Sequence, residues 1–249
     1  GAAGCPPGGS ASQDFEQLKV KSSIGTIDSS LTHLSKRAED AVAAAEKLGA
    51  AAGDLGLVLI KAAKFQDAEC VRRGQYSERG APLRAHADDL SRVGEAAVRV
   101  SRLARAAAGQ SAGALGEIHE YLAMMPSVKA ALASKDEAAL TAATLARELD
   151  SKRTKLAVAE AGGATRAAKA EECRREVAAC EAAKEAAEEE HARVAERNHE
   201  ELGRFRAARE ADMSRMMASF ARVEMAAAER MSALWSGVAE ELGSPPPRD

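Results

Sequence analysis

A long periodic run of small and apolar residues between positions 24 and 62 constrains the fold of this chain more than any other feature. The residues recur in alternating steps of three and four, a mean spacing of roughly 3.5 that keeps one apolar line facing a partner helix. The pattern therefore predicts a long helix whose apolar line is covered by other helices or by a second copy of the chain. The line consists of Ile24, Ile27, Leu31, Leu34, Ala38, Ala41, Ala45, Leu48, Ala52, Leu55, Leu59 and Ala62.

Similar lines recur downstream, between stretches rich in glycine and proline. We predict helices at about 14–70, 83–160 and 165–242, with a flexible linker at 1–13, a loop at 72–82 and a Pro-rich tail at 244–249. The pair Gly162–Gly163 separates the second helix from the third. Pro126 lies inside the second helical pattern and predicts a bend there, because proline removes a backbone donor and crowds the preceding turn.

The distribution of apolar residues predicts how the three helices pair. Residues 132–160 and 165–199 are polar and adjacent across the Gly162 turn, which predicts a two-helix arm, while the remaining segments form the core. The fold class is therefore all-α, a long antiparallel three-helix coiled coil, and a twofold dimer is the simplest cover for the face left open. The core and dimer seam is assigned to Leu31, Leu34, Leu48, Leu55, Leu59, Phe205, Phe220, Leu234 and Trp235.

Composition supports long helices and argues against several functional classes. The chain of 249 residues is 46% hydrophobic but only 3% aromatic, and its net charge is −3. That charge does not favour a nucleic-acid partner for the whole molecule. No apolar run is long enough to cross a bilayer, and no secretory signal is visible. The first residue is glycine and not methionine, so we expect further sequence upstream.

No group of residues predicts catalysis, a cofactor or a metal. Glu188 and His191, like Glu196 and His199, have the carboxylate–histidine spacing of di-iron bundles. Such sites need motifs on different helices, whereas both pairs lie in the polar part of the third helix. A solvated charged face is the simpler interpretation, and we expect no enzyme activity.

The candidate functional surface is a group of cations on both sides of the Gly162 turn. A turn between two antiparallel helices brings both sets to one end, where each cation near an anionic leaflet contributes about 1 kcal/mol. The competing interpretation is a solvated face, because lysine and arginine alternate here with glutamate. The residues are Lys129, Lys135, Arg147, Lys152, Arg153, Lys155, Arg166, Lys169, Arg174 and Arg175.

Ordered segments of the chain resemble the C-terminal BAR domain of retromer-associated sorting nexins. Two segments resemble the second helix of that family, 121–132 (YLAMMPSVKAAL) and 142–156 (AATLARELDSKRTKL). A third, 201–235, begins ELGRFRAAREADM and ends MSALW. It matches the family pattern through Glu201, Phe205, Asp212, Phe220 and Trp235.

The resemblance covers residues 14–243 and implies a curved homodimer, or a heterodimer with another sorting nexin. It further implies binding to anionic lipids on the cytoplasmic face of endosomes, tubule formation, a phosphoinositide link and contact with retromer subunits. Proteins of this family usually carry a PX domain upstream. The alternative is a coiled-coil scaffold that does not bind lipid. Residues 15–31 are either an interfacial amphipathic helix or the weak start of the first helix.

Overall fold

The computed structural model describes the backbone of residues 9–72 and 80–243 and the side chains of 18–72, 82–163 and 166–242. Every regular element in these ranges is helical. The elements are α1 (Gly9–Arg72), α2 (Gly80–Ala114), α3 (Glu117–Glu160), a 3-10 helix (Gly163–Arg166) and α4 (Ala167–Gly243). The predicted all-α class is confirmed. The predicted tail, most of the linker and most of the 72–82 loop lie outside the described residues, and α1 begins inside the linker segment.

The predicted second helix is divided into α2 and α3 at Leu115–Gly116. Three glycines weaken helical structure there, and the amide of Gly116 donates to the carbonyl of Gly113 at 3.2 Å, an i to i+3 turn bond. Pro126, where the sequence predicts a bend, lies inside α3, which continues on both sides of it. The interruption therefore occurs in the glycine-containing segment and not at the proline.

One compact unit contains the first part of α1, nearly all of α3 and the first part of α4, as residues up to 29 and 121–210. In its core, Leu149 packs with Val177 and Cys180. Buried Asn198 donates from Nδ2 to the carbonyl of Ala131 at 2.6 Å. These contacts join α3 to α4 along their length, and a buried polar bond of this kind fixes the register of two helices.

Ion pairs attach the start of α1 to α3 in the same unit. Lys21 pairs with Asp136, and Lys129 pairs with Asp28. Ile24, between these two pairs, is only 1% exposed. The segment 18–29 is therefore packed as a helix against α3, which favours the second of the two interpretations left open for residues 15–31.

The second compact unit contains residues 30–120 and 211 onwards, and its α1–α2 contact is made by glycines. A Cβ added at Gly56 would lie 2.6 Å from the carbonyl oxygen of Gly94, and one at Gly94 would lie 2.8 Å from the carbonyl oxygen of Gly56. A Cβ at Gly53 would lie 2.7 Å from Oγ of Ser101. The two backbones therefore approach so closely that no side chain fits between them.

The predicted apolar line of α1 is buried at its start and exposed further along. Leu31 is 5% exposed, whereas Leu48 and Leu55 are 72% and 58% exposed. A spacing of 3.5 drifts by roughly 20° per heptad around a straight helix, so from 24 to 62 the line turns by about 100°. The buried positions shift accordingly to the residues that follow the line. These are Gly49, Gly56, Ala63 and Cys70.

Candidate functional site

The Gly162 turn joins α3 to α4 and forms one end of the first unit. Gly163 has a φ of +66°, a left-handed conformation that glycine adopts without steric cost. A Cβ at Gly162 would lie 2.5 Å from Cδ of Arg166, so the absence of a side chain there lets the arginine stem fold back over the turn. The two glycines thus set both the chain reversal and the position of a cation.

A groove of about 750 Å³ opens between α3 and α4 beside this turn. Lys155 on α3 lines it together with Arg166 and Lys169, and all three are exposed. Exposed Val158 supplies an apolar edge. We call Lys155, Arg166 and Lys169 the tip cluster. The full lining is Thr154, Lys155, Val158, Ala159, Arg166, Lys169, Glu172, Cys173 and Glu176.

Two of the predicted cations at this end form ion pairs with carboxylates. Arg153 pairs with Glu181 at 2.7 Å across the helices. Arg174 pairs with Glu160 at 2.9 Å and with Glu171 at 3.1 Å. Arg174 donates hydrogen bonds to Glu160 and Glu171, and these bonds raise the pKa of Arg174 above its ordinary value, so it stays charged. Both arginines hold α3 against α4, and their charge is already largely balanced.

The other predicted cations are spread along the helices. Lys129 forms its ion pair with Asp28, and Arg147 donates from Nε to the carbonyl of Ala143. At a rise of about 1.5 Å per residue, Lys129 lies roughly 45 Å from the end of α3. Lys135 lies roughly 37 Å from that end, so the structure does not bring these two residues to the turn. Lys152 and Arg175 lie near the turn and form no ion pair with any described residue.

A second candidate surface lies on α1 in the second unit. Leu48, Leu55, Val58 and Phe65 are between 58% and 72% exposed. At roughly 100° per residue, the four side chains lie within about 100° of one another around α1. We call them the α1 apolar face. A contiguous exposed face of large aliphatic and aromatic side chains is typical of an interaction site.

The remaining seam residues divide between buried and exposed positions. Leu59, Phe220 and Leu234 are half-buried, while Leu34 and Trp235 are 39% and 41% exposed. Half-buried Phe205 packs edge-to-face on buried Tyr121, with ring centroids 5.8 Å apart. Several of the large side chains assigned to the seam thus remain accessible in the single chain.

Sequence reasoning missed Val58 and Phe65, which complete the α1 apolar face. Both are outside the line that steps by threes and fours, so that pattern passed over them. The spacing of Leu48, Leu55 and Ala62 beside Gly49, Gly56 and Ala63 was the available indication. In this spacing, a heptad line of larger residues runs next to a heptad line of small residues. Two helices can approach each other closely only along the line of small residues.

No group of three or more histidine, cysteine or acidic residues in the part of the chain described here is arranged to hold a metal ion. Of the residues with di-iron spacing, Glu188 is paired with Lys184 at 2.7 Å. His199 is exposed, and Glu196 is exposed beside it on α4. Among the described helices, none has a stretch long and apolar enough to span a membrane.

These features define an all-helical bundle of the BAR type, in which α1 and α4 contribute to both units and α3 and α4 meet at a cationic turn. Comparison with known proteins identifies the family. The family described as "Vps5 C terminal like" matches residues 15–241. The chain belongs to this family, the C-terminal BAR domain family of the sorting nexins, which is not a family of enzymes.

Two similar proteins from Arabidopsis thaliana support the assignment. The chain is 34% identical to Sorting nexin 2A over 236 residues, which cover 92% of this chain and 39% of that protein. It is 33% identical to Sorting nexin 2B over 236 residues, covering 92% of this chain and 40% of that protein. The chain therefore spans about two fifths of the length of these relatives.

Proposed function

We propose that this chain is the dimerising, membrane-binding module of a sorting nexin, and that it acts on endosomal membranes. Two copies form a curved dimer of the BAR type that binds anionic, phosphoinositide-containing membranes and promotes tubule formation. The partner is a second copy or another sorting nexin, and retromer subunits are further candidates. The α1 apolar face carries the proposal, because a single chain leaves it uncovered.

The α1 apolar face supports dimerisation by its size and by its position. Complete burial of a fully exposed side chain of this size contributes about 1.5–3 kcal/mol, and each of these is still more than half exposed, so covering them would be favourable. The small residues Gly49 and Gly56 already serve the intramolecular contact with α2. The larger side chains are therefore free for an isologous contact, in which the same face of each copy meets the other.

The tip cluster supports membrane binding because none of its three cations is held in an ion pair with a described residue, although Glu172 and Glu176 line the same groove. Lys155, Arg166 and Lys169 form no ion pair with any residue that the structure describes, in contrast to Arg153 and Arg174. Of the ten cations that the sequence assigned to the lipid surface, Lys129, Arg153 and Arg174 form ion pairs. Lys135 and Arg147 lie further from the turn along α3. The proposal is therefore narrowed to the tip cluster with Lys152 and Arg175. A dimer presents two such ends, so two weak contacts combine.

Charge reversal at the tip cluster tests membrane binding. We expect the triple variant Lys155→Glu, Arg166→Glu, Lys169→Glu to lose at least about 100-fold in affinity for phosphatidylserine vesicles, since each cation contributes about 1 kcal/mol and each reversal adds repulsion. Vesicle cosedimentation at low and high salt measures the loss. Neither protein should bind neutral phosphatidylcholine vesicles.

A control with the same change in net charge separates the tip from the rest of the surface. Arg37, Arg204 and Arg215 are exposed and pair with carboxylates three or four residues away on their own helices. Their triple change to glutamate should reduce vesicle binding only slightly. Equal loss in both triple variants would show that overall charge, and not the tip cluster, governs binding.

The second candidate function is a coiled-coil scaffold that does not contact lipid. The net charge of −3 and the ion pairs that occupy Arg153 and Arg174 favour it. The two functions differ in one measurement on the unmodified chain. A dimer that fails to sediment with anionic vesicles of any diameter would support the scaffold and exclude the membrane function.

A further inference from the structure

A second basic groove lies between α1 and α2, in the unit that does not contain the tip cluster. Its volume is about 720 Å³. Lys47 from α1 faces Arg102 and Arg105 from α2 across a floor of alanines, and Glu46 is the one carboxylate in the lining. The residues that line it are Glu46, Lys47, Ala50, Arg102, Arg105 and Ala106. We call it the arginine groove, and none of its residues belongs to the tip cluster or to the α1 apolar face.

The sequence around the groove lacks acidic residues to an unusual degree for this chain. From 96 to 116 there are three arginines and no aspartate or glutamate, although the whole chain has net charge −3. Arg99 pairs with Glu95, just outside this stretch, at 3.8 Å. Arg102 and Arg105 have no carboxylate three or four positions away on α2. Their charge is therefore not balanced along the helix, as it is for Arg37 or Arg204.

Lys47 on α1 is the third cation that lines the groove. Its neighbours three and four positions away on α1 are all alanine. Lys47, Arg102 and Arg105 form no ion pair with any residue in the described ranges. Three cations therefore line one groove with a single carboxylate beside them, and a bound anion would reduce the repulsion among the three like charges.

The absence of a side chain at Gly49 leaves room for the Arg105 side chain. A Cβ at Gly49 would lie 2.9 Å from Cγ of Arg105 and 3.4 Å from Cβ of Ala104. The arginine stem therefore lies directly across α1, over the position where a side chain would otherwise be. This contact leaves the guanidinium less conformational freedom to lose on binding than a freely moving surface arginine has.

We propose that the arginine groove binds a ligand carrying several phosphate groups on a small ring. Arginine guanidinium donates paired hydrogen bonds that match phosphate oxygens, and lysine adds a point charge. The groove is far larger than one phosphate ion, and its alanine floor admits a compact ring. Free inositol polyphosphates and the headgroups of phosphorylated inositol lipids share this chemistry.

An acidic peptide fits the groove less well. Peptide sites depend on large apolar or aromatic anchors that fill pockets, with charge at the rim. The lining of the arginine groove contains no apolar side chain larger than alanine. The groove thus offers charge and a small flat floor, which suits a phosphorylated ring better than a side-chain anchor.

Calorimetric titration of the full chain with inositol hexakisphosphate tests the proposal without membranes. We expect saturable binding that weakens at least about 100-fold in the double variant Arg102→Gln, Arg105→Gln, because each hydrogen bond to a charged group contributes substantially. The double variant Arg102→Lys, Arg105→Lys retains the charge and should lose about tenfold, since paired hydrogen bonds are lost. Far-UV circular dichroism checks that the variants fold.

The tip triple variant is the matched control and should bind inositol hexakisphosphate as the unmodified chain does. This outcome would support the arginine groove even if the tip proposal failed, because the titration is carried out without vesicles. Unchanged binding in the Arg102→Gln, Arg105→Gln variant, or loss in the tip variant, would overturn the site. A glutamate-rich peptide that binds the groove as tightly as the phosphorylated probe would overturn the phosphate assignment.

Two further arms identify the source of the ligand. If the groove takes a lipid headgroup, the Arg102→Gln, Arg105→Gln variant should lose recruitment to vesicles containing phosphatidylinositol bisphosphate but not to phosphatidylserine vesicles. If it takes a free inositol phosphate, recruitment to both vesicle types should be unchanged while soluble binding is lost. Either result supports the site and assigns its ligand to one of the two sources.

Discussion

The double substitution Leu48→Asp, Leu55→Asp should convert the proposed dimer into monomers. Both side chains are more than half exposed in the single chain, so aspartate at these positions does not disturb its core. In an isologous interface each substitution occurs twice, and each unpaired buried charge costs several kcal/mol. We therefore expect the dissociation constant to rise by at least about 1,000-fold. Sedimentation-velocity ultracentrifugation over a range of concentrations measures it.

The same helix supplies a control with equal exposure on another face. Leu57 and Val71 are 51% and 58% exposed. Leu57 lies two positions beyond Leu55, about 200° further around α1. The double variant Leu57→Asp, Val71→Asp should therefore remain dimeric. If the two double variants dissociate equally, the α1 apolar face is not the interface, and an unmodified chain that is monomeric at high concentration would exclude the isologous dimer.

Dimer loss has a further consequence for vesicle binding. A monomer presents one tip cluster where the dimer presents two, so the second contact no longer benefits from a high effective concentration. The Leu48→Asp, Leu55→Asp variant should thus bind anionic vesicles far more weakly, although its own tip cluster is intact. Vesicle binding that is independent of the oligomeric state would mean that one tip is sufficient.

The substitution Gly94→Ala should destabilise the chain although it adds only one methyl group. The new Cβ would lie 2.8 Å from the carbonyl oxygen of Gly56 and 3.1 Å from the backbone nitrogen of Ile60. Both contacts are with backbone, so no side-chain rotation relieves them and α1 must move away from α2. Overpacking of this kind costs about 1–3 kcal/mol in the free energy of unfolding. Chemical denaturation followed by circular dichroism measures it.

Gly109→Ala, in the same helix, should have the opposite effect. Nothing lies within 4 Å of a Cβ at Gly109, so only the helix propensity changes. Alanine is favoured over glycine in a helix by about 1 kcal/mol, and the variant should be more stable than the unmodified chain. If Gly94→Ala were stabilising to the same degree, α1 and α2 would not approach as closely as the structure places them.

The sequence alone was sufficient for the all-α class and the position of the Gly162 turn. Apolar spacing reports helices because it repeats over many turns, and adjacent glycines end a helix by local conformational cost. It was also sufficient for the family, because the segment from Glu201 to Trp235 contains an ordered pattern and not only a composition. The helical interruption at Leu115–Gly116 was missed because Pro126 is the stronger local breaker.

Sequence spacing could not determine which face of α1 packs inside the chain. A line of roughly 3.5 residues per turn drifts around a straight helix, and the sequence holds two parallel heptad lines, one of large and one of small residues. Only the tertiary structure decided that Gly49 and Gly56 meet α2 while Leu48 and Leu55 remain exposed. The balance of charge was likewise undetermined. Arg153 and Lys155 are two residues apart in sequence, but only Arg153 forms an ion pair with a carboxylate of α4, a relation set by the register of two helices.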